Sequence, residues 1–247
     1  MLEPDAAQSR AGRVLTYNVY AFPDATPRIH SSVNTLTFAV PGEADPRTVT
    51  VRPAQIPIGG AVRFEGSGLA GDRTALLLTN AAWTTPVEAD AAWSVQASSE
   101  QLSASVREVV SGVDVTPGVY GAVVRVTRRR RMADGTTRDF DYRSNESPFV
   151  IAPRIDAISP PNGAGAVVVT GRIFQHASLP DDAVQIYVGT ARLAGGIAGA
   201  LEPGEFAVDA PTQLTLRLPA GLVGGQLLAL RIFVNGAEAA PHWIVAP

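Results

Sequence analysis

Apolar side chains along the 247-residue chain recur mostly at every second position, in short runs, and helical spacing is nearly absent. Such runs occupy residues 14–20, 35–40, 48–51, 61–65, 75–79, 102–110, 119–127, 136–142, 166–170, 184–188, 214–218 and 227–234. Pro, Gly, Asn or Asp separates most of them, at the spacing expected of strands in a sandwich. Residues 102–110 are the exception, because with Gln101 the stretch QLSASVREVV also reads as a helical turn or two. The alternating Leu102, Ala104 and Val106 and the β-branched ending favour a strand there.

A weak internal repeat organises these runs. VTVRPAQIPIGGAVRFEGSGL, residues 49–69, aligns with IDAISPPNGAGAVVVTGRIF, residues 155–174. Each has a short β run, prolines, a glycine turn, and an apolar strand ending in Gly66 or Gly171. The unit ends match too: VYGAVVRVT leads towards NESPFVIAP, and LLALRIFVN towards APHWIVAP. One such unit of ~100 residues buries its apolar faces in a two-sheet sandwich. The predicted fold is therefore all-β, with two consecutive immunoglobulin-like β-sandwiches and a short N-terminal β segment. The expected divisions are 1–47 (an extension with two strands), 48–152 and 153–247. The linker at Ala152-Pro153-Arg154 is very short, so little hinging is expected.

Composition narrows the chemistry. The chain has no cysteine, which removes disulfide scaffolds, thiol catalysis, zinc ribbons and iron–sulfur clusters. All basic residues are arginines, and the net charge of −3 gives no global attraction to nucleic acid. The start, Met1-Leu2-Glu3-Pro4-Asp5, lacks the basic and apolar stretches of a signal peptide. No window reaches the ~18 uninterrupted apolar residues of a membrane helix, so a soluble product is expected.

Few residues stand out as candidate chemistry. Arg128-Arg129-Arg130-Arg131 precede Asp134-Gly135, a two-residue hairpin signal. Pairing strands around that turn sets Arg130 opposite Asp139, Arg128 opposite Asp141, and Arg129 against Phe140. The favoured reading is a self-neutralised hairpin projecting into solvent; the alternative is a partner-binding protrusion using Arg129 and Arg131. Four adjacent arginines on a strand split between its two faces, which disfavours a nucleic-acid groove.

His30, His176 and His242 are scattered, and no nucleophile elbow, zinc-ligand pair or calcium loop is present. Asp181-Asp182 and Asp139/Asp141 read as turn or ion-pair residues. A hydrolase would need a deep pocket holding a histidine beside a serine or acid. No enzyme activity is expected, and no catalytic, metal or cofactor residue is assigned. Trp93 and Trp243 sit in strand-like alternation and are expected in cores. Trp83 follows Asn80-Ala81-Ala82 in a loop; it either packs at a sandwich end or offers a sugar-stacking platform.

The repeat unit resembles the IPT/TIG subfamily of immunoglobulin-like folds. It opens with Pro153-Arg154-Ile155-Asp156-Ala157-Ile158-Ser159-Pro160 and continues to Gly171-Arg172-Ile173-Phe174 and Tyr187-Val188-Gly189. The first unit follows more loosely, through Arg52-Pro53 and Gly66-Ser67-Gly68-Leu69. TPGVYGAVVRVT, residues 116–127, and RSNESPFVIAPRI, residues 143–155, resemble the carboxy-terminal half of tube-terminating cap proteins of phage-tail-like contractile injection systems. In those proteins an α/β domain seats on the tube end and immunoglobulin-like domains follow; nothing here resembles that first domain. The resemblance implies a structural protein without cofactors. Its partners would be tube, sheath or neighbouring subunits, including copies of itself, with neither nucleic acid nor membrane. It would assemble in the cytoplasm into a particle that is released later. The alternative is an adhesin-type surface- or carbohydrate-binding module.

Overall fold

In the computed structural model, residues 45–132 and 134–247 are described in full. Of the first 44 residues it describes the backbone of three strands, Leu2–Pro4, Val14–Val19 and Asn34–Ala39, which form an antiparallel sheet in that order. His30 lies outside the described residues.

The next strands form a two-sheet sandwich. One sheet has the order Arg47–Arg52, Ala61–Ser67, Gln101–Ser105, Gln96–Ala97. The other has the order Gln55–Pro57, Ser147–Ala152, Gly118–Arg131, Arg73–Asn80, Val87–Glu88. Alternation in these strands sends Val62, Phe64, Leu102 and Ala104 inward from the first sheet, and Leu76, Leu78, Tyr120, Val124, Phe149 and Ile151 from the second. Each fully buried aliphatic or aromatic side chain contributes about 1.5–3 kcal/mol. Phe64 and Phe149 meet edge to face across the layers at 5.8 Å. The Tyr120 hydroxyl donates to the Thr116 carbonyl at 2.8 Å, the local bond that gives immunoglobulin-like sandwiches their tyrosine corner. Burial raises its pKa, although the bonds to Thr116 pull the other way.

A second sandwich follows immediately. Its sheets run Arg154–Ile158, Ala166–Arg172, Gln213–Arg217, Glu205–Ala210, Ala194–Gly195 and, facing it, Ala191–Arg192, Val184–Val188, Leu227–Val234, Ala237–Glu238. His242–Val245 pairs with the first half of Leu227–Val234. Val167, Val169, Leu214, Leu216, Leu228, Leu230 and Ile232 fill the interior.

The strands predicted at 184–188 and 227–234 match residue for residue. Residues 102–110 divide into Gln101–Ser105 and Val109–Val110, with exposed Arg107 and Glu108 between them. Glu205–Ala210 escaped the periodicity reading: Phe206 and Ala207 are both buried, and a bulge at Val208/Ala210 breaks the alternation.

The repeat has a precise backbone cause. Thr48 pairs with Gly66 and Ile155 with Gly171, and in each unit the ladder bulges at the next step. A Cβ on Gly66 would lie 1.8 Å from the Arg47 carbonyl oxygen, and one on Gly171 would lie 2.1 Å from that of Arg154. Gly66 and Leu69 donate to the carbonyls of Glu100 and Ser99, as Gly171 and Phe174 do to those of Thr212 and Pro211. The phrase Gly-x-x-(Leu/Phe) therefore closes each unit by bringing the backbone close at the glycine and burying Leu69 or Phe174. Between them the chain turns left-handed, at Gly68 (φ 65°) and at Ile173 (φ 56°). Glycine adopts that conformation freely, whereas a β-branched residue is strained in it.

Candidate interaction surfaces

The arginine hairpin has a different register from the one its turn signal suggests. Met132 donates to the Thr136 carbonyl and Gly135 to that of Met132, with Gly135 left-handed at φ 82°. The hairpin therefore closes over three residues with a glycine bulge, and every pairing shifts by one. Arg129 faces Asp139, Arg128 faces Phe140, and Arg130 faces Arg138. Arg129 makes a forked bond to Asp139, at 2.8 and 3.2 Å, which raises its own pKa and lowers that of Asp139. Thr127 binds Asp141 at 2.6 Å. Arg128 is buried, with its guanidinium 5.1 Å from the Tyr142 ring centroid and donating to the Gly68 carbonyl. Arg131 is exposed opposite Thr137. The run thus divides among a core contact, an ion pair and solvent, rather than forming one charged surface.

Between the sandwiches lies a dense junction. Ile173 belongs to the second unit, but its half-buried side chain packs against the first core. Strain of about 1–3 kcal/mol at its left-handed backbone is offset by that contact. Across the same boundary Asn235 donates to the Pro117 carbonyl at 2.9 Å, and the Gln55 amide to the Glu238 carbonyl. Arg154 forks onto Asp156 at 2.7 and 3.3 Å, while Arg172 lies between Asp156 (3.6 Å) and Glu108 of the first sandwich (3.5 Å). Replacing Ile173 with glycine should relieve the strain yet uncouple the sandwiches. Scanning calorimetry would show their transitions moving apart; unchanged superposition would contradict this role.

Asp156 also makes the second sandwich acid-sensitive beside the junction. The hydrogen bond from Arg154 is the main reason its pKa lies below the ordinary carboxylate value. Its contribution is therefore fully present above the unfolded value of about 3.9 and is lost as pH falls through the depressed folded one. Calorimetry from about pH 5 to about pH 2 should show the transition of the second sandwich fall, and Asp156→Asn should reduce that pH dependence.

His176 sits at the same junction. Its Nδ1 accepts from the Ser178 N–H at 3.2 Å and lies 2.8 Å from Ser178 Oγ; its Nε2 is 3.2 Å from Asp114 Oδ2. Because Nδ1 accepts a backbone bond, Nε2 carries the proton and donates to Asp114. The three side chains resemble a hydrolytic relay in composition. However, Ser178 lies in the same turn as His176, closed by Leu179 donating to the His176 carbonyl. Ser178 is also absent from the walls of the adjoining 410 Å³ depression, which include Phe174, His176, Leu179 and Pro211. The His176–Asp114 contact links the two sandwiches. Asp181 and Asp182 line a 560 Å³ depression with Arg192 and Phe206, and no metal-ligating cluster occurs among the described residues.

The tryptophans sort differently from their sequence context. Trp93 is fully buried, and its Nε1 donates to the Val109 carbonyl at 2.9 Å. Trp83 is half-buried at the sandwich end, edge-on to Tyr120 at 5.4 Å, so it packs rather than forming an open platform. Trp243, expected in a core, is 68% exposed. Both parities of His242-Trp243-Ile244-Val245 carry large apolar residues, and Ile244 takes the inward position opposite Leu228. The outer face therefore carries Trp243 beside Ala229, Val245 beside Leu227, and then Arg231, Tyr187 and Phe233. Glu238 holds Arg231 at 2.6 and 3.0 Å, raises its pKa, and keeps it over the Phe233 ring.

No helix among the described residues is long and apolar enough to cross a membrane. No family model and no curated protein matches the chain. Similar solved structures include a DNA-binding candidate from Bacteroides vulgatus, at 12% identity and TM-score 0.33, covering 58% of this chain and 71% of that one. A structure with a xylogluco-oligosaccharide aligns at 11% identity and TM-score 0.30, covering 95% and 57%. The human desmocollin-1 ectodomain aligns at 12% identity and TM-score 0.25, covering 95% and 43%, so the chain spans about half the length of these last two. Scores this low carry no assignment of function; the pairing of the chain's own strands makes it an all-β protein of immunoglobulin-like sandwiches.

Proposed function

We propose that this chain is a non-catalytic structural module that presents sandwich faces, edges and loops to protein neighbours. In its finer form, the reading is the immunoglobulin-like portion of a cap on a phage-tail-like contractile injection particle, built from IPT/TIG-type units. The junction carries the structural reading: Ile173, Asn235, Gln55 and the Arg172–Glu108 pair hold two sandwiches together over a very short linker. A part that transmits position in an assembly needs this stiffness, whereas a catalyst needs a poised group in a cleft. Partners would be tube, sheath or neighbouring subunits, in a particle assembled in the cytoplasm and later released. Nucleic acid is a poor fit, because the arginine run is divided and partly neutralised. Tagged protein should co-purify with one end of tubular particles from producing cells; recovery only as free protein, without particle components, would refute the cap role.

A second reading, a surface- or carbohydrate-binding module, is favoured by Trp243. Its exposed ring lies beside the small Ala229 on an open sheet face, with Arg231 further along. Saturable binding on a glycan array, lost in Trp243→Ala and retained in Trp83→Ala, would select it.

A further inference from the structure

We infer that the strand His242–Val245 is an interface edge, and that it pairs antiparallel with the same strand of a second copy of this chain. The inference goes beyond the particle reading, and neither depends on the other.

The ladder shows which backbone groups are available. Ala246 donates to Gln226, and Gly189 donates to Ala229 on the opposite side of Leu227–Val234. With the pairing of Leu228 to Ile244 and Leu230 to His242, this turns the N–H and C=O of His242, Ile244 and Ala246 inward. Those of Trp243 and Val245 point away from the sheet, and no strand among the described residues pairs with them.

Such edges are usually guarded, because an open row of N–H and C=O groups templates pairing with other chains. The other edge strands of four or more residues in the two sandwiches follow this rule. Arg47–Arg52 begins and ends with arginine, Thr137–Arg143 carries four charges, and Arg154–Ile158 carries Arg154 and Asp156. His242–Val245 has no acid, arginine or proline within it. Around it Trp243, Leu227 and Val245 are 68%, 58% and 51% exposed on a single face.

A second copy fits this edge in a register that pairs its two open residues with each other. Antiparallel pairing about a twofold axis at Ile244 sets Trp243 opposite Val245 of the other copy, and the reverse. Both residues aim their N–H and C=O across the gap, so the two pairs exchange four backbone hydrogen bonds. The same axis puts both outer faces on one side of a continuous sheet. Each indole then lies against a β-branched partner, a favourable cross-strand combination, with Leu227 of the other copy beyond it. The contact is isologous, as twofold dimers require. The exposed apolar residues become mutually covered.

Sedimentation equilibrium of the chain up to about 1 mM tests this, since that range reaches the weak end of specific association. The parent should follow a monomer–dimer isotherm. Val245→Pro removes an N–H that the native ladder does not use, and should abolish the dimer while leaving the thermal midpoint near the parent's. Should that variant fail to fold, Val245→Lys, which places a charge on the edge without touching the backbone, decides the matter by the same loss. Trp243→Ala should raise the dissociation constant about 30-fold, as truncation of a central tryptophan does. Val49→Ser, on the exposed part of another edge strand, should leave the isotherm unchanged. A parent that stays monomeric throughout, or a folded Val245 variant that dimerises like the parent, overturns the proposal. So does a monomer whose saturable glycan binding vanishes in Trp243→Ala, which would assign the face to sugar.

Discussion

Gly66→Ala is expected to unfold the first sandwich under conditions in which the parent remains native. The added Cβ would lie 1.8 Å from the Arg47 carbonyl oxygen and 2.8 Å from its carbon, both of them backbone atoms. No rotamer change can relieve that contact; the bulged Arg47–Arg52 strand must move away, breaking the ladder that also carries Val51↔Phe64. Overpacking of a core costs about 1–3 kcal/mol and displacement of a strand adds lost hydrogen bonds, so about 4 kcal/mol is expected. Gly171→Ala should do the same in the second sandwich, where the Cβ meets the Arg154 carbonyl at 2.1 Å and the Phe174 ring at 2.6 Å. Urea unfolding followed by tryptophan emission reads the first unit, where Trp83 and Trp93 pack in or against the core, and circular dichroism follows the second, whose Trp243 is already exposed. A midpoint within about 0.5 kcal/mol of the parent's would show that the close approach is not structural.

Trp93→Ala should be nearly as damaging. Trp93 ends a 3₁₀ turn, Ala91–Trp93, capped by the Asp90 carboxylate accepting from the Ala92 N–H. From there the indole fills the core with no exposed surface and satisfies the Val109 carbonyl. Truncating a buried tryptophan costs about 3–5 kcal/mol, a large share of the stability of a single sandwich. Trp93→Phe should recover most of the packing while leaving the carbonyl without its indole donor, a residual loss of about 1 kcal/mol. Equal losses for the two variants in chemical denaturation would mean that the hydrogen bond, rather than ring volume, holds this site.

Much of the fold was legible because β burial leaves a period-2 imprint. Ala61–Ser67 and Gly118–Arg131 alternate inside and outside almost without error, and in Val62–Glu65 polarity alternates with burial. The repeat was legible for another reason: Gly66 and Gly171 answer a backbone contact that no other residue tolerates, so the requirement is written in residue type. The interaction surfaces were less accessible. Asp134-Gly135 announced a turn, yet both two- and three-residue closures accept that dipeptide, and the difference of one residue moved Asp139 from Arg130 to Arg129. For Trp243 the imprint was silent, because Ile244 on one face and Val245 on the other are equally apolar.

The amino-acid order by itself determined that this chain forms strands, where they turn, and that two similar units follow each other, since these follow from side-chain period and glycine conformation within a few residues. It also set the absence of cysteine chemistry. Tertiary structure alone decided that Ile173 reaches into the neighbouring core, that His176 meets Asp114, and that Trp243 faces outward on an open edge. Those outcomes join residues far apart in the chain, or choose between two faces of equal polarity. Only the packing of whole sheets against one another breaks such ties.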